Sequence, residues 1–145
     1  MSANPNASLA NPAADSRGLI TLPSAHSAAQ TLDRLEAALG AKGIHVFARI
    51  DHSGGALAAG LALRPTFLLL FGNPQAGTPL MQSNQTIGID LPLKALAWED
   101  ESGRAWLTYN DPAYVAERHQ IKDRDQTVAA MRAALQTLAA KATSP

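Results

Sequence analysis

The residues best suited to proton chemistry follow a predicted strand. Asp51 and His52 come directly after the alternating apolar segment 44–50 and precede Ser53-Gly54-Gly55. Histidine titrates near neutral pH and a carboxylate can orient its ring, so His52 with Asp51 is the catalytic candidate, as general acid or base. The structural alternative is that Asp51 caps the Ala-rich helix that follows and His52 packs over the turn. The sequence leaves both interpretations open.

Further polar residues at predicted strand ends are candidates for binding a ligand. Arg64 precedes Pro65, which holds its backbone extended, and a guanidinium in a fixed place suits a carboxylate or a phosphate. An ion pair with an acidic side chain is the structural alternative for Arg64. The amides of Asn73 and Asn110 can face a cleft or can fix their own turns, and Tyr109 offers a hydroxyl group. The predicted ligand-binding residues are Asp51, His52, Arg64, Asn73, Tyr109 and Asn110.

Patterns typical of metal and cofactor sites are weak or missing in the sequence. No two histidines are three or four residues apart, although a site formed by His45, His52 and His119 with Asp51 is chemically reasonable. The chain has no cysteine, which excludes thiolate sites, disulfides and iron–sulfur clusters. There is also no G-x-G-x-x-G motif and no Walker A lysine. We therefore expect no metal and no cofactor.

Composition and charge favour a small globular protein without a nucleic-acid or membrane partner. The chain has 145 residues, of which 46% are hydrophobic, enough to form one core. Lys plus Arg and Asp plus Glu number 12 each, so the basic excess typical of nucleic-acid binders is missing. Residues 1–17 lack the basic and apolar regions of a secretory signal. We predict a disordered leader over 1–17, a single domain over 18–142 and a cytoplasmic location.

Local patterns predict five strands and two longer helices. Ser27 and Gln30 have the spacing of a capping box, and Leu32, Leu35 and Leu39 form an apolar stripe on the helix that follows. The predicted strands cover 18–22, 44–50, 66–71, 94–99 and 104–109, and a last helix surrounds residues 128–138. Shorter helical turns are expected after Asp51, Thr78 and Asp111. The predicted fold is α+β, with one mostly antiparallel sheet of about five strands packed against the two longer helices.

Two predictions concern which strand residues face the core. In strand 44–50, alternation places Val46, Ala48 and Ile50 on the core face. In the hairpin, an even-numbered loop places Trp98 in the core with Leu107 and Tyr109, and leaves Trp106 on the outer face. A bulge of one residue would reverse the hairpin assignment.

Several motifs in a fixed order resemble the bacterial domain of unknown function 302 (DUF302) family. They are Ile50-Asp51-His52, Gly60-Leu61 with Leu63-Arg64-Pro65-Thr66, Phe71-Gly72-Asn73-Pro74, Gly77-Thr78-Pro79-Leu80-Met81, Asp90-Leu91-Pro92-Leu93 and Tyr109-Asn110-Asp111-Pro112. The resemblance covers roughly Gly18 to Leu138. It implies a small α+β domain with one predominantly antiparallel sheet, commonly found as a dimer. It implies no reaction and supplies no catalytic residues.

Three functions of different kinds are compatible with the sequence. The first is a non-catalytic domain that binds a small ligand and works as a homodimer, with a cleft where the polar strand ends converge. The second is an enzyme that uses His52, oriented by Asp51, as general acid or base. The third is a structural or interaction module without a ligand, in which Trp106 and its hairpin face form the contact between two copies.

Overall fold

The computed structural model of the protein describes residues 13–145. The five strands are β1 (Leu19–Pro23), β2 (His45–Asp51), β3 (Thr66–Gly72), β4 (Leu93–Glu99) and β5 (Ala105–Asn110). The helices are α1 (Ala28–Ala41), α2 (His52–Ala58), α3 (Pro74–Ser83), α4 (Pro112–Arg118) and α5 (Asp125–Thr143), and a 3₁₀ turn covers Gln85–Ile89. Residues 1–12, most of the predicted leader, lie outside the described part of the chain.

The strands form one sheet in the order β1-β5-β4-β3-β2, and every neighbouring pair is antiparallel. The two long helices, α1 and α5, pack against each other and against one face of this sheet. The prediction of an α+β fold with a single antiparallel sheet and two longer helices is confirmed.

The main core lies between the sheet and the two long helices. The predicted capping box is present, because the Ser27 hydroxyl accepts from the Gln30 amide and the Gln30 side chain accepts from the Ser27 amide. This cap starts α1 in the register that buries Leu32, Leu35 and Leu39. These leucines meet the buried strand residues on the inner face of the sheet, among them Phe71 and Leu107.

A second, smaller core joins the 3₁₀ turn to three helices. Its members are Leu80 of α3, Ile87 of the turn, Ala116 of α4, Met131 of α5, and Ile121 from the connection between α4 and α5. This cluster lies beside the start of β4, since Leu91 and Leu93 pack against it. The molecule therefore has a main core between the sheet and the two long helices and a second, smaller core.

The outer face of the sheet, on the side opposite α1 and α5, carries no buried side chain among the described residues. We call this surface the open face. It contains Thr21, Ala48, Ile50, Thr66, Leu68, Leu70, Lys94, Leu96, Trp98, Trp106 and Thr108. The apolar members of the open face are half-buried or exposed, so a large part of this sheet has no second layer over it.

The prediction that Trp98 lies in the core is wrong. Trp98 pairs directly with Trp106, and both rings lie on the open face, stacked with centroids 6.1 Å apart. The turn contains an odd number of residues, because the ladder closes at the pair Glu99 and Ala105. The extra residue shifts the register by one and exchanges the two faces of β4 relative to β5.

The face prediction for β2 is wrong beyond Phe47. The pairing with β3 shifts between Val46 and Ala48, which marks a bulge at Phe47. Val46 stays on the core side, but Ala48 and Ile50 turn to the open face. Arg49 consequently points to α1, where its guanidinium donates to the Asp33 carboxylate at 2.7 Å. A bulge inserts one unpaired residue, which inverts the alternation after it.

Candidate functional site

The predicted ligand-binding residues lie at two opposite ends of the sheet. Asp51 ends β2 and Arg64 precedes β3, where Asp51 pairs with Phe67, so both belong to one end. Asn73 follows the last residue of β3 at the other end. Tyr109 pairs with Ala95 near the start of β4, which places Tyr109-Asn110 at the same end as Asn73. The geometry does not gather the six residues into one cleft.

Asp51 forms the N-cap of α2. Its carboxylate accepts hydrogen bonds from the Ser53 hydroxyl at 2.6 Å and from the Gly54 amide at 2.8 Å. These bonds, the Ser53 hydroxyl first, lower the pKa of Asp51 below its ordinary value. His52 is exposed, and its imidazole ring forms no hydrogen bond with another described residue. The carboxylate is thus directed to the helix backbone, and nothing orients the His52 ring.

Arg64 is also apart from Tyr109 and Asn110. Arg64 is exposed, and its guanidinium contacts no carboxylate within residues 13–145. Tyr109 is buried on the inner face, and this burial raises the pKa of its hydroxyl. Asn110 pairs with Leu19 at the end of the sheet. His45, His52 and His119 are likewise separated, and the described residues contain no group of three His, Cys, Asp or Glu that could hold a metal ion.

An apolar groove of two joined chambers lies beside Asn73, between β3, α3 and α5. The larger chamber has a volume of about 480 Å³ and the smaller about 260 Å³. Both are lined by Gly72, Asn73, Ala76, Leu93 and Met131, so the two chambers are adjacent. The volume of the larger chamber is in the range of small-molecule sites. We call the pair of chambers the groove.

The sequence around the groove explains why it stays open. Asn73 caps α3, with its Oδ1 atom accepting from the Ala76 amide at 3.2 Å, and Pro74 occupies the first turn of that helix. The cap fixes where α3 leaves the sheet. Small side chains, Ala76 on α3 and Ala130 and Ala134 on α5, then face the space between the helices. They are too short to fill it.

Three of the six motifs that carried the family resemblance meet at the smaller chamber. Its wall includes Gly77 and Met81 of α3, Leu91-Pro92-Leu93 before β4, and Asn73-Pro74. Of the six predicted ligand-binding residues, only Asn73 lines the groove. The order of these motifs along the chain was visible, but their convergence needed the packing of α3 against the turn that precedes β4.

A buried polar cluster that the sequence did not predict stands next to this chamber. His119 Nε2 lies 2.5 Å from Asp90 Oδ2, and His119 Nδ1 lies 2.9 Å from Thr86 Oγ1. The Asn84 side chain donates to the His119 carbonyl at 2.7 Å, and Arg118 contacts the other Asp90 oxygen at 3.0 Å. The cluster ties the end of α4 to the 3₁₀ turn. Because Asp90 is 29 residues from His119, spacing gave no signal for it.

The hairpin tip has a strongly held carboxylate. The Asp100 side chain accepts from the Trp106 indole at 2.9 Å and from the Ser102 hydroxyl at 2.7 Å. These two bonds, the Trp106 bond first, hold the pKa of Asp100 well below its ordinary value of 3.8. A lowered pKa in the folded state means that the bonds stabilise the tip above pH 3.8 and are lost as the pH falls through the folded pKa.

We therefore expect the Trp106 indole N–H resonance to stay constant from neutral pH down to 3.8 and to move only below that value. A ¹H–¹⁵N spectrum recorded across a pH series measures this. Asp100→Asn should remove the transition, whereas Glu101→Gln, a change of the neighbouring exposed carboxylate, should leave it in place. A transition at pH 3.8 or above would contradict the role given to these bonds.

Comparison with known proteins agrees with the motif resemblance. The profile of the family described as "Domain of unknown function DUF302" matches residues 20–138. Because this match covers most of the sequence, the chain belongs to the DUF302 family. A crystal structure of an uncharacterized conserved DUF302 protein from Bacillus stearothermophilus is similar, with a TM-score of 0.78 and 19% identity. The similarity covers 86% of this chain and 98% of that one, and it supports the fold.

Two curated proteins that are similar to this chain are named as fluoride channels, not as DUF302 proteins. The protein "Fluoride-specific ion channel FluC 1" of Brucella suis is 57% identical over 104 residues, and FluC 1 of Brucella abortus is equally similar. The match covers 72% of this chain but 41% and 38% of those two proteins. The chain thus spans about two fifths of their length. Within residues 13–145, no helix has the length and apolar character needed to cross a membrane.

Proposed function

We propose that the protein is a non-catalytic domain that binds a small molecule in the groove and works as a homodimer. The observation that carries the ligand-binding part is the groove itself, an open apolar space where three of the ordered motifs of the chain meet. Protein interiors are normally packed to a density that leaves few voids larger than a water molecule. A space of this size, open to solvent and lined by apolar groups, is favourable for a ligand.

The acid–base alternative with His52 has less support. A general base needs an orienting partner and a concave site for its substrate. Asp51 uses its carboxylate as a helix cap, and neither Asp51 nor His52 lines the groove. The binding function requires only the shape and the apolar character of the space between α3 and α5.

Binding in the groove can be tested with the uncharged fluorescent probe N-phenyl-1-naphthylamine. We expect its fluorescence to rise when it binds the wild-type protein, because the probe leaves water for an apolar site. Ala134→Leu places a larger side chain inside the larger chamber and should weaken binding roughly tenfold or more, the equivalent of ~1.4 kcal/mol.

Ala133→Leu is the matched control for this experiment. Ala133 is the neighbour of Ala134 on α5, is exposed and does not line either chamber. The two substitutions are chemically identical and alanine and leucine have similar helix propensities, so general effects on α5 cancel. Equal binding by both variants and by the wild type would contradict the groove as the binding site.

The homodimer is supported by the open face and by the segment that follows β2. Ile50 at the edge of the open face is 40% exposed, and the next segment carries Leu57, Leu61 and Leu63 at 77%, 66% and 50% exposure. No residue of α2 is buried. Four large apolar side chains exposed within one short segment favour an interaction site there. Residues 50–63 contain no Lys or Arg, the residues that a membrane-surface helix carries on its polar side.

A second copy of this chain is the partner that we assign to this surface. Closed twofold pairing buries the same patch on both copies and needs no other protein. The stacked pair of Trp98 and Trp106 provides a rigid aromatic centre, because the two indole groups donate to Thr108 and to Asp100. Aromatic anchors of this kind carry much of the energy of protein interfaces.

Light scattering coupled to size-exclusion chromatography tests the dimer. We expect the wild type at twice the 15.2 kDa mass of one chain and Leu57→Glu at the monomer mass, since a carboxylate cannot be buried without a partner. Ile89→Glu is the control, because Ile89 is 76% exposed and lies on the 3₁₀ turn, outside β2 and α2. Trp106→Ala shows whether the hairpin belongs to the contact. A wild type at the monomer mass would overturn the homodimer.

A further inference from the structure

We infer that the ligand of the groove is an uncharged, largely apolar molecule that presents a carbonyl oxygen to the side-chain amide of Asn73. This inference rests on the proposed ligand-binding function and gives the ligand a chemical class. It follows from the charge of the lining, from the unused donor of Asn73 and from the way the two chambers join.

The lining of the groove contains no charged side chain. Its polar members are amides and hydroxyls, namely Asn73, Gln75, Thr78, Gln126 and Thr127, and the others are apolar residues or glycine. A carboxylate, phosphate or ammonium group inside the groove would lose its hydration without meeting an opposite charge. An uncharged molecule meets no such penalty, so the lining selects against charge.

Asn73 supplies a hydrogen-bond donor that the fold does not use. Its Oδ1 atom is occupied by the Ala76 amide, in the cap of α3. Asn73 is exposed, and its side-chain NH₂ group donates to no other group in the described part of the chain, so this group is open to water or to a ligand. An amide NH₂ group can only donate, so the matching ligand atom is an acceptor. A carbonyl oxygen is an acceptor that adds no charge.

The position of Asn73 tells where on the ligand this acceptor lies. Asn73 lines both chambers, together with Gly72, Ala76, Leu93 and Met131. A single molecule that occupies both chambers would therefore have its carbonyl near the middle and an apolar group on either side. The larger apolar group fits the chamber beside α5. The smaller one fits the chamber beside Met81, whose flexible thioether adapts to irregular shapes.

Three matched probes test the charge and the acceptor together: 4-phenylbutanamide, 4-phenylbutanoate and 4-phenylbutylammonium. They share one apolar body, which is expected to occupy the smaller chamber alone, and differ in the head group, which would lie beside Asn73. Binding is followed through the ¹³C-methyl resonances of Met81 and Met131, which both line the smaller chamber. We expect the amide to shift both resonances and to bind at least tenfold more tightly than either charged probe.

Asn73→Asp separates the donor from the cap. Aspartate caps helices as well as asparagine does, so α3 keeps its start, but the NH₂ group is replaced by a second acceptor oxygen. We expect this variant to bind 4-phenylbutanamide at least tenfold more weakly than the wild type, with an unchanged melting temperature. Ala133→Leu, which leaves the groove untouched, should bind it as the wild type does.

The possible results distinguish this inference from the function on which it rests. Equal binding of the carboxylate and the amide, or equal binding of the amide by Asn73→Asp, would overturn the inference and leave the ligand-binding function standing. Methionine shifts that depend on protein concentration without any probe would overturn it too, since a second copy would then fill the groove. The proposed function itself fails if, in addition, the wild type does not bind N-phenyl-1-naphthylamine or Ala134→Leu does not weaken that binding.

Discussion

Replacing His119 by alanine is expected to lower the free energy of unfolding by about 3 kcal/mol. The His119 side chain is only 8% exposed, and both of its ring nitrogens have partners, Asp90 and Thr86. Its removal leaves the Asp90 carboxylate, itself 19% exposed, with Arg118 alone, whose side chain is 61% exposed. A partly buried carboxylate that loses its main partner pays a desolvation cost that an exposed ion pair does not offset. Urea unfolding at neutral pH measures the change.

Two further variants show whether the loss belongs to the pair. In Asp90→Ala with His119→Ala the orphaned charge is absent, so the double change should cost clearly less than the sum of the single changes. His26→Ala is the control for the loss of a histidine side chain, because the His26 ring makes a single hydrogen bond, to the Ser144 carbonyl, in an exposed setting. Equal losses for His119→Ala and His26→Ala would contradict the structural role given to the cluster.

The His119 cluster also bears on the groove. Asp90 directly precedes Leu91-Pro92-Leu93, which line the smaller chamber, and Gly88 of the 3₁₀ turn lines it as well. His119 therefore stabilises the 3₁₀ turn and the segment after it, which form one wall of the smaller chamber. We expect His119→Ala to weaken probe binding even under conditions where the protein remains folded.

Gly18→Ala is expected to destabilise the fold by about 3 kcal/mol, the second large effect. Gly18 has φ +75°, where a side chain is strained, and an added Cβ would lie 2.2 Å from Cγ of Tyr114. The backbone there cannot move freely, because the Gly18 carbonyl accepts from the Asp111 amide at 2.8 Å. Strain and overlap therefore add. Urea unfolding of the variant gives the free-energy change.

Gly43→Ala separates the two contributions. Gly43 has φ +69°, but a Cβ there would meet no atom within 4 Å, so only the backbone strain remains, about 1 kcal/mol. In a Tyr114→Ala background the ring contacts at 2.2 and 2.3 Å are removed, but the contact with the Cβ of residue 114 at 2.7 Å stays. Gly18→Ala should therefore cost less there than in the wild type and still more than Gly43→Ala. If Gly18→Ala and Gly43→Ala were equally destabilising in the wild-type background, steric overlap with Tyr114 would not be the cause.

Helix starts and the alternation of elements were predictable from the sequence. Ser27 and Asp111 were expected to cap helices, capping was one of two interpretations left open for Asp51, and all three side chains form caps. The helix expected after Thr78 begins earlier, at Pro74. A cap bonds to an amide two or three residues away, so its free energy depends on local sequence alone. The apolar stripe of α1 and the antiparallel sheet followed from periodicity for the same reason.

The faces of two strands were not predictable. The bulge at Phe47 and the odd-numbered turn before Ala105 each change the register by one residue. Such a shift alters little in the local energy but moves every later side chain to the other face. The register that the strand adopts depends on the tertiary contacts of the shifted side chains, such as the hydrogen bond from Arg49 to Asp33 on α1.

The sequence by itself determined the secondary structure, the fold class and the family, because these depend on caps, periodicity and ordered motifs. Only the tertiary structure decided where a ligand could bind. It separated Asp51 and Arg64 from Asn73 by the length of the sheet, and it opened the groove between α3 and α5. Sites of this kind arise from contacts between residues far apart in the chain, whose free energies no local pattern contains.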